Sequence, residues 1–242
     1  MKTEDMVPKS NTLIDNSDGL KMVDILKGCI SESTCTVIKI ATGYWDIPGL
    51  SLVRNELKAF LQRNGTELQL LIGTDPVVRA SQVNDPKYKG QKFPEDFIKV
   101  DFRNLDVKPE YSEAVKLLLD YCGSEEKNSK IKIRIFRKND DGDAQFLHAK
   151  CYIFLGEERT CGIVGSSNFT QKGLVYNAEL NHYESNSSVV MSNLGEFNKQ
   201  KGHNLWFDEK WEVSKPWNGQ FLECVLKPSP NAKKVIEEQN EG

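Results

Sequence analysis

Histidine is scarce, with three in 242 residues, so any imidazole chemistry must come from His148, His182 or His203. Long apolar runs are absent too. Runs such as Leu70 to Ile72 and Leu117 to Leu119 fall far short of the ~20 residues that a membrane-spanning helix needs. The chain carries no excess of one charge: 32 Lys+Arg against 35 Asp+Glu give a net charge of −3, so a nucleic-acid site would have to be a local patch. The six cysteines form no C-x-x-C pair and have no histidine at zinc-finger spacing, which argues against a structural metal. The first residues lack the apolar stretch of a signal peptide, and a reducing cytoplasm is the expected setting. There is no repeat of 20 to 50 residues, and neither a Walker A loop nor a G-x-G-x-x-G follows a strand, which excludes nucleotide-dependent chemistry of those types.

What is present reads as an α/β chain. Residues 1–16 are polar and without period and are expected to be a loose N-terminus. Residues 17–226 read as one domain. Leu20, Val23, Leu26 and Ile30 recur at helical spacing, and Thr36 to Ile40 is a β-branched strand that ends in a turn at Thr42-Gly-Tyr-Trp45. Pro48 opens a helix that Gly65 closes, and Leu68 to Ile72 follows as a buried strand, giving a β-α-β parallel pair. Helices are predicted at 94–103 and from Pro109 to Gly123, and Lys130 to Ile135 alternates as a strand. Gln145 to Leu155 and Thr160 to Ser166 form a hairpin around Gly156-Glu-Glu-Arg159, Ala178 to Tyr183 is a further strand, and Met191 to Trp211 is helical. The pattern predicts a three-layer α/β/α sandwich with a mixed, largely parallel sheet. Residues 227–242 are expected to be a linker or tail leading to a further domain.

On the first hairpin strand, the period of two places Lys150 on the same face as His148. The second strand ends in Gly165-Ser166-Ser167-Asn168, a turn of small residues whose amides and polar side chains suit an anion. An imidazole can attack phosphorus, a Lys ammonium neutralises non-bridging oxygens and an Asn amide donates to one of them. Glu179 on the next strand is placed to hold the His148 tautomer and support its imidazolium. Cys151 points to the opposite strand face, which disfavours a Cys–His dyad. A separate signal is the acid-free tract 127–138, in which Lys130, Lys132, Arg134, Arg137 and Lys138 could meet a nucleic-acid backbone. A solvated strand face accounts for the same tract equally well.

His148-x-Lys150, Gly165-Ser166-x-Asn168 and Asn177-x-Glu179 together resemble the phospholipase D superfamily, known for its H-x-K-x4-D motif and a downstream G-S-x-N. The motif aspartate falls on Leu155, a departure that weighs more against lipid-hydrolysing members than against nucleases. The resemblance is sharp over 146–180, and one H-x-K is present where the family's active site uses two. It therefore implies a homodimer in which two copies of His148 face each other, with no metal or other cofactor. The single-motif members that this chain resembles are metal-independent nucleases, including restriction-enzyme domains and domains fused to helicases, so DNA is the implied substrate and a helicase or recognition domain an implied partner. Two other readings stay open: a binding or dimerisation module with weak or lost turnover, and a phospholipid or small phosphodiester hydrolase, against which the sequence offers no amphipathic membrane helix.

Overall fold

The computed structural model describes residues 7–73, 84–91, 93–136, 147–193 and 201–241. In chain order it contains strand β1 (Thr12–Ile14), helix α1 (Met22–Ser31), β2 (Cys35–Thr42), α2 (Ile47–Leu52), α3 (Arg54–Gln62), β3 (Glu67–Ile72), α4 (Pro94–Arg103), α5 (Pro109–Tyr121), β4 (Ile131–Ile135), β5 (Lys150–Gly156), β6 (Cys161–Gly165), β7 (Asn181–Glu184), α6 (Ser187–Val190), α7 (His203–Glu212), β8 (Lys215–Pro216), α8 (Asn218–Phe221) and α9 (Pro230–Glu241). The helix expected from Pro48 onward is two helices, α2 and α3, divided at Val53, whose φ of −117° and ψ of 12° leave the helical range. None of the described helices is long and apolar enough to cross a membrane.

The strands form one sheet in the order β1-β7-β6-β5-β2-β3-β4-β8. It is mixed, but parallel pairing is confined to β2–β3–β4, so the expectation of a largely parallel sheet is corrected. The cause is connection length. The four residues between β5 and β6 are too few for a crossover, so these neighbours must be antiparallel. The predicted hairpin is present, with Lys150 opposite Gly165 and Phe154 opposite Cys161.

Helices cover both faces of the sheet, unequally. Ile38 and Ile40 of β2, Leu70 and Ile72 of β3 and Ile133 of β4 enter a large core with α1, α3 and α5. The opposite face carries a thinner cover, in which Ala41, Leu71, Cys151 and Ile153 pack against Phe207 and Trp211 of α7. Lys39 also points to this thin side, where its ammonium donates to Asn204 Oδ1 at 2.7 Å and pairs with Asp208 at 2.5 Å. A buried charge needs such partners.

Residues 12–14 and 230–241 form regular structure where none was expected. Within the segment anticipated to be loose, β1 adds to the sheet edge beside β7, and Ile14 is wholly buried. Asn16, in the left-handed region at φ 65°, caps Met22 N with its carbonyl and donates to the carbonyls of Gly173 and Asn177. The segment anticipated to be a tail is helix α9, with Ala232 and Val235 buried and Asn231 Oδ1 accepting from Ser112 of α5. Strand β1 is too short to leave a periodic trace, and α9 has only a few buried side chains in an otherwise polar sequence.

The basic tract is likewise tied down. Lys130 Nζ donates to the carbonyls of Leu61 and Arg63 at 2.6 Å each, at the end of α3. Lys132 pairs with Glu67, and Arg134 forms a two-pronged bond to Glu126 at 2.8 and 3.0 Å while donating to Trp211 O. These three cations have partners inside the fold, which favours the reading of the tract as an ordinary strand face. Arg137 and Lys138 lie outside the described residues.

Candidate active site

One end of the sheet gathers the motif residues, and strand register explains why. Ala41 of β2 lies opposite Cys151, Lys150 opposite Gly165, and Gly165 opposite Asn181. The end of β2, the start of β5, the end of β6 and the start of β7 therefore lie side by side, and the segments that leave them share one rim.

His148 sits in the extended segment just before β5, not on the strand itself, and it is exposed. Its neighbour Leu147 is buried and anchors the approach. Gly73, just past β3, is pressed against that residue: a Cβ there would lie 2.1 Å from Leu147 O, so only glycine lets the segment cross the strand end. Lys150 opens β5 and is 5% exposed, with its ammonium donating to the backbone carbonyl of His148 at 2.9 Å. Histidine and lysine thus share one local unit.

The turn after β6 brings in the rest. Gly165 is obligatory because a Cβ would meet Asn181 Oδ1 at 2.4 Å and Leu180 O at 2.5 Å. Ser166 is exposed; its hydroxyl donates to Glu179 Oε2 at 2.5 Å and accepts from Leu180 N at 2.9 Å. Ser167, expected to support phosphate, is instead wholly buried. Its N–H donates to Asn181 Oδ1, its hydroxyl accepts from Asn181 Nδ2 and its carbonyl accepts from Tyr152, so it builds the turn from behind. Asn168 Oδ1 accepts from Thr42 Oγ1 at 3.2 Å and from Tyr44 N at 3.1 Å. Those bonds fix which end of the amide is the acceptor, so what the group offers a ligand is donation through Nδ2.

Glu179 lies just before β7 rather than within a strand, half-buried, with Oε1 accepting from Asn177 Nδ2 at 3.1 Å and Oε2 from Ser166. Its observed partners are these two motif residues, and both orient the carboxylate. Asp46 clamps the two halves of the rim together: its Oδ1 accepts from Gly49 N at 2.6 Å, capping α2, and from Gln171 N at 3.1 Å. Burial, partly offset by those two bonds, raises its carboxyl to about 6.

Leu155, at the position of the family's aspartate, occupies the far end of β5. Five residues from Lys150 at ~3.3 Å per residue put it ~16 Å away along the strand, where it packs beside the thin-side core. Cys151 is buried, and burial pushes its thiol up to about 12, which leaves no thiolate nucleophile near neutral pH. Among the described residues no three His, Cys, Asp or Glu side chains converge to hold a metal ion.

Thr42, Gly73 and Asn181 were not singled out as site residues by sequence reasoning. Each sits at a strand end and acts through a neighbour. Only the glycine beside the apolar run and the Thr42-Gly-Tyr-Trp45 turn hinted at that rim.

No curated protein matches the chain by sequence. Solved structures similar to it include NucT from Helicobacter pylori, 12% identical, with a TM-score of 0.47 over 86% of this chain and 98% of that one. A phospholipase D family member, Nuc from Salmonella typhimurium, is 14% identical with a TM-score of 0.47 over the same shares. The polyphosphate kinase from Porphyromonas gingivalis is 12% identical, with a TM-score of 0.42 over 75% of this chain and 24% of that one. The family model described as cardiolipin synthase, PLD-like domain, matches residues 26–200, a span that includes β2 through β7 and every motif residue above. The chain therefore belongs to this PLD-like family, and with it to the phospholipase D superfamily of phosphodiester-processing enzymes.

Proposed function

We propose that the chain is a DNA endonuclease that acts through a phosphohistidine in a homodimer and needs no metal. The observation that carries this reading is the rim itself, where exposed His148, buried Lys150 and the oriented donor of Asn168 stand at one sheet end. An imidazole nitrogen of His148 attacks phosphorus and the phosphorus–oxygen bond to the leaving strand breaks. The departing oxygen takes a proton from His148 of a second copy, and water, deprotonated by that same second histidine, then attacks the phosphohistidine to release a phosphomonoester and restore both imidazoles. Lys150 and Asn168 offset charge on the non-bridging oxygens, and Glu179 supports an imidazolium. A role in restriction or defence, with a helicase or recognition domain supplying targeting, belongs to the same proposal.

The test is cleavage of plasmid and single-stranded DNA in excess EDTA, with the mass in solution measured by light scattering. EDTA-resistant nicking by a dimer supports the reading; cleavage that EDTA abolishes, or a monomer with full activity, overturns it. A second reading, chemistry at a phospholipid, is favoured by the description of the matched family. Release of headgroup from phosphatidylglycerol vesicles, without cleavage of DNA, would select it.

A further inference from the structure

A cleft of about 530 Å³ opens beside the catalytic rim and shares Asn168 and Glu179 with it. Its other walls come from the turn between β2 and α2, from residues 87 and 88, from α4, from the start of α5 and from residues 170–173, and they bring Tyr44, Tyr88 and Tyr111 together with Asp46, Asp101 and Asn104. Asp101 and Asn104 stand three residues apart at the end of α4, so they present to one side. The volume suits one small-molecule-sized group and not a duplex, since ligand pockets run from ~300 to ~1,000 Å³.

The chemistry of the walls narrows the occupant. Four carboxyl groups, Asp46, Asp101, Asp106 and Glu179, oppose a second phosphate, and of the three lining cations Lys87 and Lys108 are paired with Asp85 and Asp106 while Lys172 acts on the Asp46 carboxyl. What remains is an uncharged, flat group that rings can cover and hydrogen bonds can read. Asp101 uses Oδ1 to accept from the Tyr88 hydroxyl, and Asp46 uses Oδ1 for its two backbone donors, so each keeps Oδ2 for a ligand. Burial raises Asp101 to about 7 and Asp46 to about 6. A carboxyl that is protonated part of the time near neutral pH both donates and accepts, as the amino-imine edge of adenine or cytosine requires.

We propose that this cleft is a base-binding subsite, which takes the unpaired nucleobase of the nucleotide next to the scissile phosphate. The inference rests on the nuclease reading above and sharpens it: the preferred substrate is single-stranded, because a paired base must first leave its stack to enter the cleft.

The test uses the wild-type chain and end-labelled single-stranded oligonucleotides. Once the cut is mapped, each base around it is replaced in turn by an abasic site. The expected result is a fall in kcat/KM of about 10-fold at one position next to the cut, the size that loss of one stacked base gives, and little change elsewhere. In Asp101→Ala the same penalty shrinks to less than about 3-fold, and Asn104→Ala, at an exposed position at the end of α4, shrinks it in the same direction. A flat abasic scan with normal cutting, or a penalty unchanged in both variants, overturns the subsite and leaves the nuclease reading standing. Failure to cut any oligonucleotide, with hydrolysis of bis(p-nitrophenyl) phosphate or phosphatidylglycerol vesicles intact, overturns both.

Discussion

Lys150 Nζ donates to the backbone carbonyl of His148 at 2.9 Å, so the ammonium is held against the chain segment from which the imidazole projects. The lysine is 5% exposed and reaches that position from the first residue of β5. Placed this way, it meets developing negative charge on a phosphoryl group without having to reorganise.

Lys150→Met keeps most of the stem and removes the charge. The expected outcome is a loss of about 10²–10³ in kcat, the usual cost of one preorganised donor, with the melting temperature within a few degrees of wild type. Steady-state kinetics on a chromogenic phosphodiester beside a thermal melt checks it. A kcat within a factor of about three would remove Lys150 from the chemistry.

The cations of β4 give the opposite expectation. Arg134 is engaged by Glu126, Trp211 O and the Trp211 ring, whose centroid lies 4.7 Å from the guanidinium carbon. Arg134→Ala should therefore cost stability, about 1–3 kcal/mol for a part-buried paired charge, while the salt dependence of DNA binding keeps its slope. A slope in log K against log salt shallower by about 0.9 would show a phosphate contact instead.

Restoring the family's aspartate should not help. Leu155 packs beside the thin-side core at the far end of β5 from His148, so Leu155→Asp puts a carboxylate against Ile153 and its neighbours. A loss of about 1–3 kcal/mol in a urea titration, with no gain in kcat, is expected. A rise in activity would mean that the position communicates with the site.

Asp101 sets a pH window. Its folded carboxyl sits at about 7 and the ordinary value is 3.8. The folded state therefore holds a proton that the unfolded chain has already released between pH ~4 and ~7, and stability falls as pH rises through that range. Asp101→Asn keeps an acceptor for Tyr88 and removes the titration. Relative to wild type it should gain stability at pH 8, by up to ~2 kcal/mol, and gain none at pH 4. Equal effects at both pH values in chemical denaturation would contradict the assignment.

Much of this fold was legible because its elements are periodic. The alternation of Lys130 to Ile135 and the apolar run at 68–72 each yielded a strand, and His148, Lys150, Ser166, Asn168 and Glu179 could be picked out by type and spacing. Burial within a turn was not legible. Ser166 and Ser167 look alike in sequence, yet one is exposed and bonds Glu179 while the other is sealed behind Asn181 and Tyr152, a difference set by which way the chain turns after Gly165. Long-range partners were not legible either. The acids that neutralise Lys132 and Arg134 come from β3 and from the turn before β4, and no local pattern announces that pairing. The antiparallel share of the sheet was underestimated in part because the edge strands β1 and β8, each antiparallel to its neighbour, carry too few residues to show a period.

The most direct test of the central claim is phosphodiester cleavage in excess EDTA by wild type beside His148→Ala, with both proteins shown to be folded and of the same oligomeric state. The account expects EDTA-resistant turnover in wild type and a loss of at least ~10³-fold in the variant, because the nucleophile itself is gone. Cleavage that survives in His148→Ala, under the same conditions and at a comparable rate, would contradict it.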